Sequence, residues 1–593
     1  MHVRKYSNNV PGGSAAEAAF EAFLKHFPQY RLTWILDTLR RTDYTRLSRR
    51  SSKRPSETET YVDYMGGSLY PESLIRVHTE FLASNVLGNT HSISASSQLS
   101  LKHVEEARRA VLEFFGALPT LNSGNDSDEY TVIFTPNASG ALKLVGEAYQ
   151  FSKGSSFVLC ADSHNSVNGI REFARRGGAS VVYIPAGEKA NQEGAFDLNE
   201  AKSILQRNKP PRDTFSLVAL TALSNITNAK CPGLYSSTSS EEGDDSIVTY
   251  ARSLGYHTLL DAAALAPTSR MSLAQIPVDA LAVSFYKMFG FPTGVGALVI
   301  RKGFLRTLKS GRPWFAGGTV DVVQVPGRVR TMKGVGEEFE GFEDGTINYL
   351  LLPAITSGLH LLSAYLPFLP LRLNCLMHYL VTELGRIHHR GRDGRQITRD
   401  DEKDGEGDFA VCKVLSRVPK KILKGVGETD EDTGAIISCI FLDEAGEAFP
   451  LSFVAHSATQ EGISLRTGCM CNPGGAAALL GIQESMKDVE EGGMMREGMT
   501  LREFEEEVER QRRTELGVVR ISLGLGSDWS DLWRVLQWAN KIGDAMERKV
   551  MWRRWLERQD DENMINSKWQ KYYYVSCTVA HEVFCLDRGT VLN

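Results

Sequence analysis

Ser284-Phe285-Tyr286-Lys287-Met288-Phe289-Gly290-Phe291-Pro292-Thr293-Gly294-Val295-Gly296-Ala297-Leu298-Val299-Ile300 reads as a strand end, a lysine, a glycine-rich loop and a second strand. The preceding Leu281-Ala282-Val283 is short and apolar, as a buried strand is. Lys287 falls just past its end. An amine held there in a dry pocket has a lowered pKa and becomes a nucleophile toward an aldehyde. Taken alone, the same lysine reads as a solvated loop residue. A carboxylate upstream changes that reading.

Tyr256-His257-Thr258-Leu259-Leu260-Asp261 is another short apolar run, and it delivers Asp261 at its carboxyl end. An aspartate at one strand end and a lysine at a later one are the two groups that pyridoxal phosphate requires. The lysine holds the aldehyde as a Schiff base, and the carboxylate keeps the ring nitrogen protonated so that the ring accepts electrons.

Further strands lie toward the N-terminus, and each ends in polar residues. Tyr130 to Phe134 leads into Thr135-Pro136-Asn137-Ala138-Ser139-Gly140 and a helical stretch. Small residues at such a junction leave backbone N–H groups free to hold an anion, though an ordinary helix cap has the same appearance. Phe157 to Ala161 leads to Asp162-Ser163-His164, and Phe215 to Leu220 leads to Ser224-Asn225. Strand ends alternating with helical stretches define an α/β layout with a mainly parallel sheet, which binds ligands at the carboxyl ends of its strands.

The lysine segment resembles that of the molybdenum cofactor sulfurases, class-V, fold-type-I relatives of the cysteine desulfurases. Tyr61-Val62-Asp63-Tyr64-Met65-Gly66 and Gly88-Asn89-Thr90-His91-Ser92 resemble the start of the same family, and Val518-Val519-Arg520-Ile521-Ser522 its closing strand. The resemblance covers roughly residues 60 to 545. It implies a seven-stranded, mainly parallel sheet with a smaller α+β C-terminal lobe. Lys287 would carry pyridoxal phosphate and Asp261 would face its ring nitrogen. Ala138 and Ser139 would hold its phosphate, Ser284 would also contact the cofactor, His164 would stack on the ring and relay a proton, and Asn225 would bond the ring oxygen. Gly317-Gly318-Thr319 would complete the phosphate site of a neighbouring subunit, which makes a homodimer the expected assembly. The chain departs from the family at Tyr64 (commonly His), Gly341 (commonly Arg) and Ala476 (often Cys).

A second chemical centre is Ser464-Leu465-Arg466-Thr467-Gly468-Cys469-Met470-Cys471-Asn472-Pro473-Gly474. Two cysteines one residue apart suggest a metal knuckle, but no second Cys/His pair follows at ligand spacing, and no metal is expected. Two small core residues are the neutral alternative. Glycine on both sides suits a mobile loop. The stretch resembles the sulfurase loop in which Cys471 would accept sulfur from L-cysteine and Arg466 would clamp the substrate carboxylate. The persulfide would then pass to an acceptor, molybdenum cofactor in the family. A carbon–sulfur lyase, another class-V enzyme and a non-catalytic scaffold remain open alternatives.

The 593 residues exceed one ordinary core, so several units are expected. Residues 1–57 read as a helical and basic extension with peripheral helices. Residues 58–355 read as the cofactor-binding domain, 356–548 as the smaller lobe and 549–593 as a C-terminal extension. Many molybdenum cofactor sulfurases continue into a separate cofactor-binding domain, for which this chain has no room. A net charge of −5 argues against nucleic-acid binding. No apolar run is long enough for a membrane span, and no apolar signal core follows the N-terminus. Nine scattered cysteines suit a reducing compartment, and a cytoplasmic location is expected.

Overall fold

The computed structural model describes residues 14–48, 59–118, 129–187, 196–212, 214–234, 246–333, 338–391, 410–512 and 515–559. Several expected surface segments fall wholly or mostly outside these residues: the basic run near 46–54, the polar loop at 121–129, the acidic insertion at 236–246, the charged stretch at 389–408 and most of the C-terminal extension.

The large sheet has seven strands: β1 Tyr130–Thr135, β2 Ser156–Cys160, β3 Ser180–Ile184, β4 Ser216–Thr221, β5 Tyr256–Asp261, β6 Ala280–Ser284 and β7 Gly296–Arg301. Their order is β1-β7-β6-β5-β4-β2-β3. Only β7 runs against its neighbours, pairing antiparallel with β1 and β6, so the sheet is mainly parallel. β2, β4, β6 and β7 are buried along their whole length. Continuous apolar runs rather than alternation are what a sheet covered on both faces demands. Gly296 starts β7 because a Cβ there would lie 2.6 Å from the Asn137 backbone, so this strand and the head of helix Ala138–Ala148 meet at backbone distance.

A second, antiparallel sheet contains β8 Cys412–Val414, β9 Ile436–Phe441, β10 Arg466–Gly468 and β11 Val518–Ser522, in the order β8-β9-β11-β10. The two-residue strand Thr60–Tyr61 pairs in parallel with Ile463–Ser464, which ties the entry of the large-sheet region to this second sheet.

The helix Ala95–Phe114 is N-capped by Ser94, whose side chain accepts from the Ser97 N–H. Ahead of the helix Leu501–Arg512 the chain is interrupted at Gly492 and Gly493. One expectation needs correction. The N-terminal segment is not peripheral. Phe23, Phe27, Tyr30, Leu36 and Leu39 belong to the main core, and two charges of this segment, Asp37 and Arg40, are paired across the chain. Arg40 is buried against Asp528 at 3.0 Å and Asp531 at 2.7 Å, both at the head of helix Trp529–Gly543. Arg372 is buried against Asp37 and donates to the Ser527 carbonyl at 3.0 Å. Removing one partner of such a pair strands the other without water, which costs about 3–5 kcal/mol.

No single described helix is long and apolar enough to cross a membrane.

Candidate active site

The carboxyl ends of the parallel strands open into a cleft of about 600 Å³, including space open to solvent. Lys287, Asp261, His164, Asn225, Ser284, Ser139 and Ala138, all anticipated from the sequence, line it. Lys287 lies on the single helical turn Phe285–Phe289 rather than in an open loop. That turn stays short because Gly290 ends it at φ +82, where the backbone of Leu69 and Tyr70 leaves no room for a Cβ. Ser68 donates from Oγ to the Lys287 carbonyl at 2.6 Å and fixes the turn from the other side.

Burial lowers the Lys287 amine below the ordinary lysine range. Asp261 opposes the shift, while Arg520 and Arg466 reinforce it. The same forces act on His164, which burial and Lys287 lower and Asp261 raises. Its Nδ1 accepts from the Ser166 N–H at 3.1 Å, so the neutral ring carries its proton on Nε2. Asp261 is 8% exposed and is oriented by the Ala263 N–H, which donates to Oδ1 at 3.1 Å.

The phosphate side differs in detail from expectation. The Ala138 N–H already donates to Ser284 Oγ at 2.8 Å. The Ser139 and Ser166 hydroxyls lie 2.6 Å apart beside it, at the head of helix Ala138–Ala148. Ser166 was missed in the sequence, although a hydroxyl two residues after His164 was the available signal. Three serine hydroxyls at a helix N-terminus, a buried carboxylate and an amine of lowered pKa form the donor set that pyridoxal phosphate needs. The residues present fit that group.

Thr319, Arg466 and Cys471 do not line the cleft. Thr319 is buried, with its hydroxyl donating to the Ala316 carbonyl at 2.7 Å. Arg466 is half exposed and pairs with Asp63 at 2.9 Å. Asp63 also holds Arg520 at 2.8 Å, and Arg520 donates to the Asn225 carbonyl at 3.1 Å. Arg520 is buried, faces Arg466 across β10 and β11, and has its pKa lowered first by burial. It was read only as part of a closing strand, and the structure adds it to the cationic end of the site.

Cys471 is exposed, whereas Cys469 is half buried and donates from Sγ to the Leu516 carbonyl at 3.4 Å. Burial and Glu505 push the Cys469 thiol up to about 11. Met470 and Cys471 both adopt left-handed backbone, at φ +56 and +54. The loop touches the cleft through Asn225, whose Nδ2 donates to the Met470 carbonyl at 2.8 Å, and the N–H of Asn165, next to His164, donates to the Cys471 carbonyl at 2.7 Å.

The family departures fall outside the cleft. Tyr64 is buried against Gly524 and Gly526, with its ring edge-on to Tyr61. Ala476 is buried among Ile226, Met470 and Val518. Near Gly341 the local ion pairs include Lys333–Glu340, Arg108–Glu343 and Arg312–Asp344, each at 2.6 Å.

The mainly parallel sheet, with a lysine, an aspartate and a serine-lined anion cradle at its carboxyl ends, has the architecture of a fold-type-I pyridoxal phosphate enzyme. The profile of the class-V aminotransferase family matches residues 60–368, and the chain belongs to that family. It is similar to the molybdenum cofactor sulfurase of Arabidopsis thaliana, at 30% identity over 78% of this chain and 54% of the relative. With that of Solanum lycopersicum it shares 31% identity over 80% of this chain and 55% of the relative. The chain thus spans about half the length of these curated relatives. Among solved structures, the cysteine desulfurase of Thermococcus onnurineus NA1 superposes with a TM-score of 0.57 at 20% identity, over 82% of this chain and 94% of that one. The cysteine desulfurase CsdA of Escherichia coli gives a TM-score of 0.55 at 18% identity, over the same shares.

The buried amine has a consequence for the cofactor-free protein. Its pKa is lower folded than unfolded, so between the two values the unfolded chain binds more protons and stability rises with pH. Below the folded value both states are protonated and the cost of burying the charge is fully present. Compared with Lys287→Ala, the wild type is therefore expected to gain Tm as pH rises from neutrality toward about 10.5, the unfolded value. A thermal-denaturation series on both proteins measures this, and parallel curves would show that the amine is not buried as charge.

Proposed function

We propose that the protein is a pyridoxal phosphate-dependent enzyme of the cysteine desulfurase type. It takes sulfur from L-cysteine, leaves alanine and carries the sulfur on Cys471 for an acceptor. The observation that carries this reading is the joining of two centres: the Lys287/Asp261 cleft and an exposed thiol loop, bonded together through Asn225. The names of the relatives support cysteine as donor and make molybdenum cofactor the acceptor to test.

In this reading Ser139, Ser166 and Ser284 hold the phosphate, Asp261 the ring nitrogen, and His164 a ring face. When bound, the cofactor withdraws electrons from the carbon that carries the substrate amino group. Lys287, its amine pKa lowered by burial, is suited to take up the proton removed from that carbon. The paired guanidiniums of Arg466 and Arg520 offer planar donors to the substrate carboxylate, in exchange for Asp63. The Cys471 thiolate attacks the substrate sulfur. A sulfur–sulfur bond forms, the carbon–sulfur bond breaks, and its electron pair leaves with the carbon that becomes the alanine methyl group. Water need not enter, because the sulfur remains on the protein.

Incubating purified protein with pyridoxal phosphate and cysteine, then quantifying alanine, tests the proposal. Alanine with one added sulfur on the protein supports it. Pyruvate and free sulfide without protein-bound sulfur would instead make the protein a lyase.

The active assembly is a homodimer in this reading. Exposed Val322, Val325 and Val329 lie around the hairpin Val320–Val323/Arg330–Met332, directly after Thr319. Light scattering is expected to give twice the chain mass of 65.6 kDa. A monomer that retains cofactor and turnover would remove the role proposed for Thr319 in a neighbouring site. The cytosol is the proposed location, in keeping with the free state of all seven described cysteines.

A further inference from the structure

Cys471 needs something to hold it, because its loop is in an unfavourable conformation. Left-handed backbone at a residue with a Cβ costs about 1–2 kcal/mol, and here Met470 and Cys471 adopt it in succession. Such a conformation persists only where its surroundings determine it. The surroundings converge on Asn472, which is fully buried.

Asn472 uses both ends of its side chain. Its Oδ1 accepts from the Gly475 N–H at 3.0 Å and caps helix Pro473–Leu480. Its Nδ2 donates to Asp162 Oδ1 at 2.7 Å and to Asn225 Oδ1 at 3.1 Å. Asp162 is buried, and its carboxylate also accepts from Ser224 and Thr227, each at 2.6 Å. Asn225 lines the cofactor cleft and donates to the Met470 carbonyl. The contact is built in from the glycine side as well. A Cβ on Gly474 would collide with the Ala161 carbonyl, and one on Gly475 with Asp162 Oδ1, so only this glycine pair lets the helix head sit on the strand end that carries Asp162.

We propose that Asn472 is the positioning residue of the sulfur-accepting loop: its amide latches Met470 and Cys471 in their left-handed turn onto Asp162 and Asn225, and so ties the thiol's place to the cofactor cleft. The inference rests on the proposed function for what the thiol does, but not for the latch itself. Asn472 touches neither cofactor nor substrate and acts through the loop. Asn225 is the shared member, since one amide group serves both the loop carbonyl and the cleft.

Asn472→Ser separates the latch from the helix cap. Serine caps a helix about as well as asparagine, but it cannot reach with an amide donor. Hydrogen exchange on substrate-free protein is expected to show faster exchange of the Asn165 and Asn472 amides, which bond the Cys471 and Cys469 carbonyls, with protection in helix 473–480 retained. Alanine formation should fall about ten- to a hundredfold in kcat, with the KM for cysteine and the cofactor absorbance unchanged, as for a misplaced reacting group. Asn472→Asp should be worse, because it sets a carboxylate against Asp162. The double exchange Asp162→Asn with Asn472→Asp should recover part of that loss: it restores a donor–acceptor pair between the two residues but leaves the new carboxylate against Asn225 Oδ1. Wild-type exchange at both amides in Asn472→Ser overturns the latch. Faster exchange with unchanged kcat overturns its positioning role. Hydrogen exchange is read without substrate, so a wild type that forms no alanine would refute the proposed function and leave the latch to be decided by hydrogen exchange in the single and double variants.

Discussion

Lys287→Ala is expected to abolish the visible absorption of the cofactor-loaded protein and to lower alanine formation from cysteine by a factor of about 10³ or more. The size follows from the two tasks placed on one amine: bonding the aldehyde and handling the proton at the reacting carbon. Among the described residues no other lysine lines the cleft to take over. Lys287→Arg is the sharper control. It keeps a positive charge beside Asp261, but guanidinium stays protonated and is no nucleophile, so the loss should be equally deep. Absorbance spectra and initial rates with added pyridoxal phosphate measure both. A colourless wild type that takes up no cofactor, or an alanine variant that retains band and rate, would remove the cofactor assignment.

Cys471→Ser should leave the absorbance intact and collapse sulfur transfer, with alanine formation down about 10²-fold or more. A hydroxyl is a far poorer sulfur acceptor than a thiol and is not ionised near neutral pH. The cofactor band should survive because Cys471 lies outside the cleft lining. Cys469→Ser should be mild. With its pKa pushed up to about 11, the Cys469 thiol is about one part in 10⁴ ionised at pH 7. Mass spectrometry after cysteine treatment should place one added sulfur on the peptide containing Cys471. Full turnover in Cys471→Ser, with no sulfur retained by the wild type, would make a lyase the correct reading.

Much of the cleft was legible because its parts sit at the ends of apolar runs. Asp261, Lys287, His164 and Asn225 each follow a short buried strand, and strands of one parallel sheet bring their carboxyl ends together whatever the helices between them do. What could not be read depends on partners far away in the chain. The Asp63 carboxylate joins Arg466, 403 residues on, and Arg520, 457 residues on, so no local pattern marks the cluster. Asn472 looks like part of a turn before proline, and its buried amide becomes visible only with Asp162 in place, 310 residues upstream. The N-terminal helices read as peripheral for a related reason: the partners that bury Arg40 and Asp37 are Asp531 and Arg372, far along the chain.

Those pairs set a timetable for synthesis. The seven strands of the large sheet lie between Tyr130 and Arg301, so that sheet can form while the ribosome is still translating the second half of the chain. The first helices cannot finish folding then. Arg40 waits for Asp528 and Asp531, Asp37 for Arg372, and Thr60–Tyr61 for Ile463–Ser464. The N-terminal apolar helices are thus covered late: Tyr379 packs on Phe23 and Trp529 on Phe20, 356 and 509 residues further along the chain. At about 5–20 residues per second that interval is about 20–100 s. Over that time the nascent N-terminus presents Phe20, Phe23, Phe27 and Leu36 to whatever binds unfinished chains.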